Sequence, residues 1–422
     1  MPSLPRAPNP IVPWLQAAVV GAAVLWASDL LVPPAAVPLP GHGERFAAMT
    51  TAPLALAGEF PQRILWPLLA WACGLGGERA PVFAQVVNGA LLAVVFWFAR
   101  QRSAAWQDAL LVTAAVAVTG TVLVYKPMAC LSDPLVFLLL LLAVHHVRRP
   151  AWFWGLVLAA AFAHEMTFLL APWLVWLRRC AGSSWRREAA WLGGTAALFA
   201  GWLAFVRACG TGASYGIAYY LASNFWVPWG LPAVWLLLLL EVLVEFGPLL
   251  AVVVWALRAG RLEAGRVGFG LLAGCIALLP LVAYDVMRFA VFLFLPLVGA
   301  ALALLQAPRG RLVLGALTVA AAVCYRWTHP FADEAGGRAF RHLSGQVLGR
   351  FISDRQADVQ PLSTPASGAG YLRDLVADNT GIWLGAAGAA VVVVAFGLWL
   401  ARSGAPGRGQ PRGERTTQNA SP

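Results

Sequence analysis

Residues 132–166 read SDPLVFLLLLLAVHHVRRPAWFWGLVLAAAFAHEM, and this stretch decides the fold. Two apolar runs, 134–147 and 151–163, are split by a turn carrying Arg148 and Arg149. Acids stand only at the far ends, Asp133 before the first run and Glu165 after the second. Arginines in short connections mark the cytoplasmic side of a membrane, and ionisable groups at membrane depth are costly unless they meet a partner or a wet cavity. The stretch therefore reads as one hairpin crossing a bilayer twice, with its acids on the outer face.

The same pattern extends in both directions. Residues 11–32, 81–99, 108–124, 165–177, 189–206, 229–257, 268–284, 289–306, 312–325 and 383–401 read as further spans, about twelve with the hairpin. The short apolar run 64–75 reads as a helix lying against the bilayer. Counting it as a crossing would reverse the sidedness of everything before residue 100. The expected architecture is all-α, a polytopic transmembrane bundle filling 1–401 as a single domain. Outer loops are expected at 33–80 and 326–382, with a disordered cytoplasmic tail at 402–422. Within the second loop, Phe340, Leu343, Val347, Phe351 and Ile352 fall at helical spacing between arginines, the pattern of an amphipathic helix on the outer leaflet. The first span follows Arg6 and lacks a small-residue cleavage pattern, so it is expected to stay in the mature protein with the N-terminus inside.

Composition agrees with this class. A chain of 422 residues that is 60% hydrophobic and 12% charged has too little polar surface to cover a soluble fold. Its mean hydropathy is +0.71. The net charge of +11 needs no nucleic acid. More than half of the 30 basic residues fall in the cytoplasmic connections, and only Asp108, Glu188, Glu263 and Glu414 accompany them. Anionic lipid head groups and membrane orientation account for that bias, and no RNA- or DNA-reading motif is present. The six cysteines show no metal-ligand spacing. Cys130, Cys209 and Cys324 fall near the outer face, which leaves a disulfide there open.

Few polar groups remain on the outer side. The first loop holds His42, Glu44 and Glu59 ahead of Arg63, and a long loop pressed onto the membrane by a helix can hold one acid over an interfacial cavity. Glu44 is the candidate catalytic base, with His42 and Arg63 as candidate substrate contacts. The next turn places Lys126, the chain's sole lysine, near Asp133. A lysine is a compact point charge suited to a phosphate, though it also snorkels, and Asp133 ahead of Pro134 reads equally as a helix cap. His164-Glu165 is not a zinc-protease motif, because Phe168 stands where a second histidine is required. The pair suits a substrate contact or a structural hydrogen-bond network. Asp285 and Arg288, three apart, form either a mutual ion pair or a holder for an anionic head group. Glu241 and Glu245 project from one helix face and are expected to line the bundle interior.

Taken together, HGERFAAMTTAP, FPQRILWPLLAW, SDPLVFLLLLLA, AHEMTFLLAPW and DVMRFAVFLFLP resemble bacterial inner-membrane proteins related to the GT-C glycosyltransferases, the mannosyltransferase-like enzymes. The likeness covers most of 11–306. It implies a polyprenyl-phosphate sugar donor, an envelope glycan or lipid acceptor, an acid in the first outer loop as base, and basic residues holding the donor phosphate. His42-Gly43 stands where that family's pattern leads one to expect Asp-Gly, with Glu44 close behind. No cofactor is called for, and a divalent cation at the donor phosphate stays open. A transporter or flippase using Glu241, Glu245 and His164, or an inactive scaffold in envelope-polymer assembly, are the competing expectations.

Overall fold

The computed structural model describes residues 11–38, 42–58, 60–103, 105–210, 233–262, 264–281, 286–328, 332–334, 337–339, 387–388 and 390–395. The expected amphipathic helix of the second loop and the C-terminal tail lie outside them. Within the expected last span, 387–388 and 390–395 are helical.

The chain is a helical bundle. In order come α1 (Ile11–Ala27), α2 (His42–Met49), α3 (Leu65–Ala72), α4 (Ala80–Arg102), α5 (Trp106–Ala117), α6 (Gly120–Leu123), α7 (Asp133–His145), α8 (Pro150–Ala163), α9 (Ala171–Cys180) and α10 (Trp185–Cys209). After them come α11 (Ala233–Phe246), α12 (Leu250–Arg258), α13 (Gly265–Leu278), α14 (Val286–Ala290), α15 (Phe294–Leu305) and α16 (Gly310–Thr328). The extended pair among the described residues is a short antiparallel ladder, Ala332–Glu334 with Gly337–Ala339.

Among the described residues four stretches are long and apolar enough to cross a membrane: Ile11–Leu30, Gly77–Arg102, Trp185–Cys209 and Arg288–Leu305. Shorter apolar helices at Trp106–Ala117, Asp133–His145 and Pro150–Ala163 join them. At 1.5 Å per residue, α3 reaches far less than a bilayer's thickness, and α5, α7 and α8, expected as spans, also fall short of it. Several expected continuous spans are broken, among them 165–177 by the 3-10 turn Glu165–Leu170 and 289–306 by the 3-10 turn Val291–Leu293. The run 108–124 divides into α5 and α6 at Val118-Thr119, where Thr119 caps α6 through the backbone N–H of Thr121. The run 229–257 divides at Gly247-Pro248, where proline removes a helical hydrogen bond and Gly247 takes φ +50°.

Burial separates centre from rim. The Arg288–Leu305 and Gly77–Arg102 spans are 72% and 61% buried, against 22% for Ile11–Leu30 and 17% for Trp185–Cys209. α15 packs on α4, α5 and α12, while α1 lies along α4. That last contact is close because a Cβ on Gly21 would come within 2.6 Å of the Gly89 carbonyl. Small residues at a helix crossing let backbones approach, a common device within membranes. Rim helices turn Leu15, Val19, Leu198, Phe205, Val319 and Val323 outward. Apolar surface that extensive is unstable in water and suits a lipid surround.

At one end sit the turns that carry Arg100, Arg148, Arg178, Arg258 and Arg309, tied together by Arg178 to the Val147 carbonyl, Trp176 Nε1 to the Ala264 carbonyl at 3.0 Å and Arg311 to Asp108. Trp14, Trp106, Trp152 and Trp185 are all partly or well exposed close to these turns. Tryptophan collects at the head-group level of a bilayer. The opposite end holds candidates expected on the outer side.

Candidate functional site

Five of the sequence candidates meet at that opposite end. Arg63, just ahead of α3, forks onto Glu165: Nε donates to Oε2 at 2.8 Å and Nη2 to Oε1 at 2.7 Å. Its guanidinium also lies over the Phe60 ring at 4.5 Å, with Phe46 of α2 at 6.0 Å. Two parallel hydrogen bonds and an aromatic face are what a guanidinium offers and an ammonium cannot. Glu165 opens the 3-10 turn Glu165–Leu170, which begins where α8 stops at the extended residue His164.

His164 closes α8 and caps the turn. Its Nδ1 accepts the Met166 N–H at 3.3 Å and stands 3.8 Å from Glu165. A ring nitrogen that accepts carries no proton, so the imidazole is neutral. Burial, with Arg63 adding to it, holds its pKa at about 3. The fourth group, Asp133, begins α7 and receives Arg288 Nη2 at 2.6 Å. The helix cap itself is Ser132, without a side-chain cap bond, so the Asp133 carboxylate serves Arg288 instead. His164 lies within electrostatic reach of Arg63, Glu165, Asp133 and Arg288 alike, which makes these five one cluster.

The cluster balances two arginines against two carboxylates around a neutral ring. It is not saturated. Glu165 keeps 22% of its side chain exposed. Beside Arg63 and Asp133 in the chain, the buried atoms Gln62 Oε1, Trp66 Nε1 and Ser132 Oγ have no hydrogen-bond partner among the described residues. Buried polar groups are rarely left so, and such groups suit a polar ligand or water.

Other candidates fall elsewhere. Lys126 is fully buried and its ammonium donates to Asp29, to Ser28 Oγ at 2.8 Å and to the Leu25 carbonyl at 3.3 Å. Three donors meet three acceptors, so Lys126 ties the 124–132 turn to the end of α1. Burial pushes its pKa below the ordinary lysine value while Asp29 pulls it back up. Asp29 carries no signal in the sequence that pairs it with Lys126. Glu44 is exposed in the first turn of α2, while Phe46, two residues on, is buried against Arg63. Positions two apart on a helix face nearly opposite ways, so Glu44 points away from the cluster. His42 begins α2, but its side chain lies outside the described residues, as do Glu59 and Asp285. Glu241 and Glu245 of α11 are buried, and Glu245 sits against Gly120 so closely that a Cβ there would overlap its carboxylate.

All the described cysteines are free. Among the described residues no group of three or more His, Cys, Asp or Glu could hold a metal ion. The chain matches no protein-family model, no curated protein and no solved structure.

Proposed function

We propose that the protein is a membrane glycosyltransferase that moves a sugar from a polyprenyl-phosphate donor to an envelope glycan or lipid acceptor. In this reading it lies in the bacterial inner membrane with about twelve spans and both termini in the cytoplasm, and the Arg63–Arg288 cluster faces outward. The observation that carries the reading is the meeting of two arginines, two carboxylates and a neutral imidazole, drawn from four distant parts of the chain, at one end of an apolar bundle. The bundle suits the lipid tail and the cluster suits the head group.

The chemistry asks little of such a site. A carboxylate accepts the proton of the acceptor hydroxyl as its oxygen attacks the sugar's anomeric carbon. The bond from that carbon to the phosphate oxygen breaks, and the lipid phosphate departs with the electron pair, held by arginine. Attack opposite to the leaving group inverts the anomeric centre. Asp133 is a better placed base than Glu44, because it lies beside Arg288 whereas Glu44 faces away on α2. Releasing Arg288 to the phosphate would free the Asp133 carboxylate for the proton.

A reconstituted transfer assay with a synthetic polyprenyl-phosphate sugar tests this. Asp133→Asn is expected to lower turnover by about 10²- to 10⁴-fold. Glu44→Gln is expected to stay near wild type. The reverse ranking restores Glu44 as base, and equal activity in both overturns the assignment. The competing reading, a transporter for a lipid-linked substrate, draws on the two interior carboxylates Glu241 and Glu245. It calls for loss of transport in Glu241→Gln and Glu245→Gln with Asp133→Asn unaffected.

A further inference from the structure

We propose a second site, at the arginine-turn end: a groove on the first two turns of α8 that holds one anionic phospholipid, with its acyl chain along the helix and its phosphodiester on Arg148 and Arg149. The proposal needs the bundle to sit in a bilayer but does not depend on sugar transfer.

The groove has a volume of about 430 Å³ and is lined by Ala151, Trp152, Gly155 and Leu156. Gly155 keeps it open, since a Cβ there would meet no atom within 4 Å. Trp152 forms one wall, 62% exposed, with its ring 5.9 Å from that of His146. Such an exposed indole beside a chain of rings, Trp14 on Trp97 at 4.5 Å and Trp97 on His145 at 4.4 Å, places this level at the head-group boundary. A lipid, and not a soluble ligand, is the molecule that occurs there with an apolar tail and a charged head.

The charge balance selects an anionic head. Asp108 and Glu188, the described carboxylates at this end, are taken by Arg311 and Arg178. Arg148 and Arg149 are exposed, and their side chains make no hydrogen bond or ion pair among the described residues. They stand at the N-terminus of α8, whose helix dipole adds partial positive charge, and whose first N–H groups have no helical acceptor. Two exposed arginines and a helix start immediately precede the residues that line an apolar groove, an order that matches a phosphodiester above an acyl chain.

Native mass spectrometry of the full-length protein, titrated with phosphatidylglycerol or phosphatidylcholine, reads out the site. Wild-type protein is expected to retain phosphatidylglycerol at least about tenfold more strongly than phosphatidylcholine. Replacing Arg148 and Arg149 together by alanine is expected to erase that preference. Gly155→Leu, which fills the groove and keeps both charges, is expected to weaken retention to a similar degree. Replacing Arg186 and Arg187 by alanine removes equal charge from the same end and is expected to leave retention unchanged. Undiminished retention in the Arg148/Arg149 or Gly155 variants overturns the proposal. So does an equal loss in the Arg186/Arg187 variant, which would show a diffuse attraction to anionic lipid with no site behind it.

Discussion

Two arginine–glutamate pairs sit at opposite ends of the bundle and are built differently. At the arginine-turn end, Arg178 gives Nε and Nη2 to one oxygen of Glu188, at 3.2 and 3.0 Å. Ser183 also donates to Glu188, Trp154 Nε1 takes its other oxygen at 2.8 Å, and Arg178 Nη1 reaches the Val147 carbonyl. Glu188 is fully buried, and its partners all come from the neighbouring α8–α10 segment. At the other end, Arg63 and Glu165 meet across 102 residues, with part of the carboxylate exposed and orphan polar atoms nearby. In the first pair every guanidinium nitrogen and both carboxylate oxygens have a partner within the chain. The second is held in place and still has capacity to spend on something outside the chain.

Stability measurements sharpen that contrast most strongly. Breaking a buried pair by removing one partner strands the other charge, at a cost of about 3–5 kcal/mol. Glu188→Ala, which strands Arg178 and also orphans Trp154, is expected at the top of that range, read as a lowered thermal midpoint in detergent. Glu165→Ala is expected to cost less, about 2 kcal/mol, because its site already admits solvent. If Glu165→Ala proved the more damaging of the two, the cluster would be the structural knot and the contrast would be reversed.

Double apolar replacements give the next largest effect, and they separate stability from function. Replacing a whole ion pair by apolar residues of similar volume is often neutral or stabilising. Arg178→Met with Glu188→Leu is therefore expected to stay folded and to keep any transfer activity. Arg63→Met with Glu165→Leu is expected to stay folded and to lose donor binding. Retention of donor binding in the second variant would remove Arg63 from the site.

Much of this architecture was legible in the chain, for a physical reason. Apolar run, basic turn and bounding acid are local patterns, so the α7–α8 hairpin and the inward-facing Glu241 and Glu245 can be read residue by residue. Pairings across the fold cannot. Lys126 with Asp29, Arg63 with Glu165 and Arg288 with Asp133 join positions 97, 102 and 155 residues apart. Nothing near Asp29 signals that α1 ends beside the 124–132 turn. The outward face of Glu44 was likewise hidden, because it depends on which side of α2 meets Arg63. Breaks at Val118-Thr119 and Gly247-Pro248 fall inside runs whose average hydropathy is uninterrupted, so composition passes over them.

The smallest expected effect tests the part of the cluster that carries no charge. His164 is buried and its Nδ1 is already occupied as an acceptor, so protonation in the folded protein waits until about pH 3, against 6.5 for an unperturbed histidine. Between those values the unfolded chain binds a proton that the folded chain refuses. Stability is therefore complete above pH 6.5 and falls as the pH drops toward 3, by up to about 1.4 kcal/mol per unit. His164→Asn keeps an acceptor at the start of the 3-10 turn and removes the titration. Between about pH 7.5 and about pH 5, wild type is expected to lose roughly 2 kcal/mol more than the variant, measured by chemical denaturation in detergent. An equal loss in both would mean that the imidazole takes up its proton in the folded state. The cluster would then carry a net positive charge, and it would attract an anionic head group without giving up either of its ion pairs.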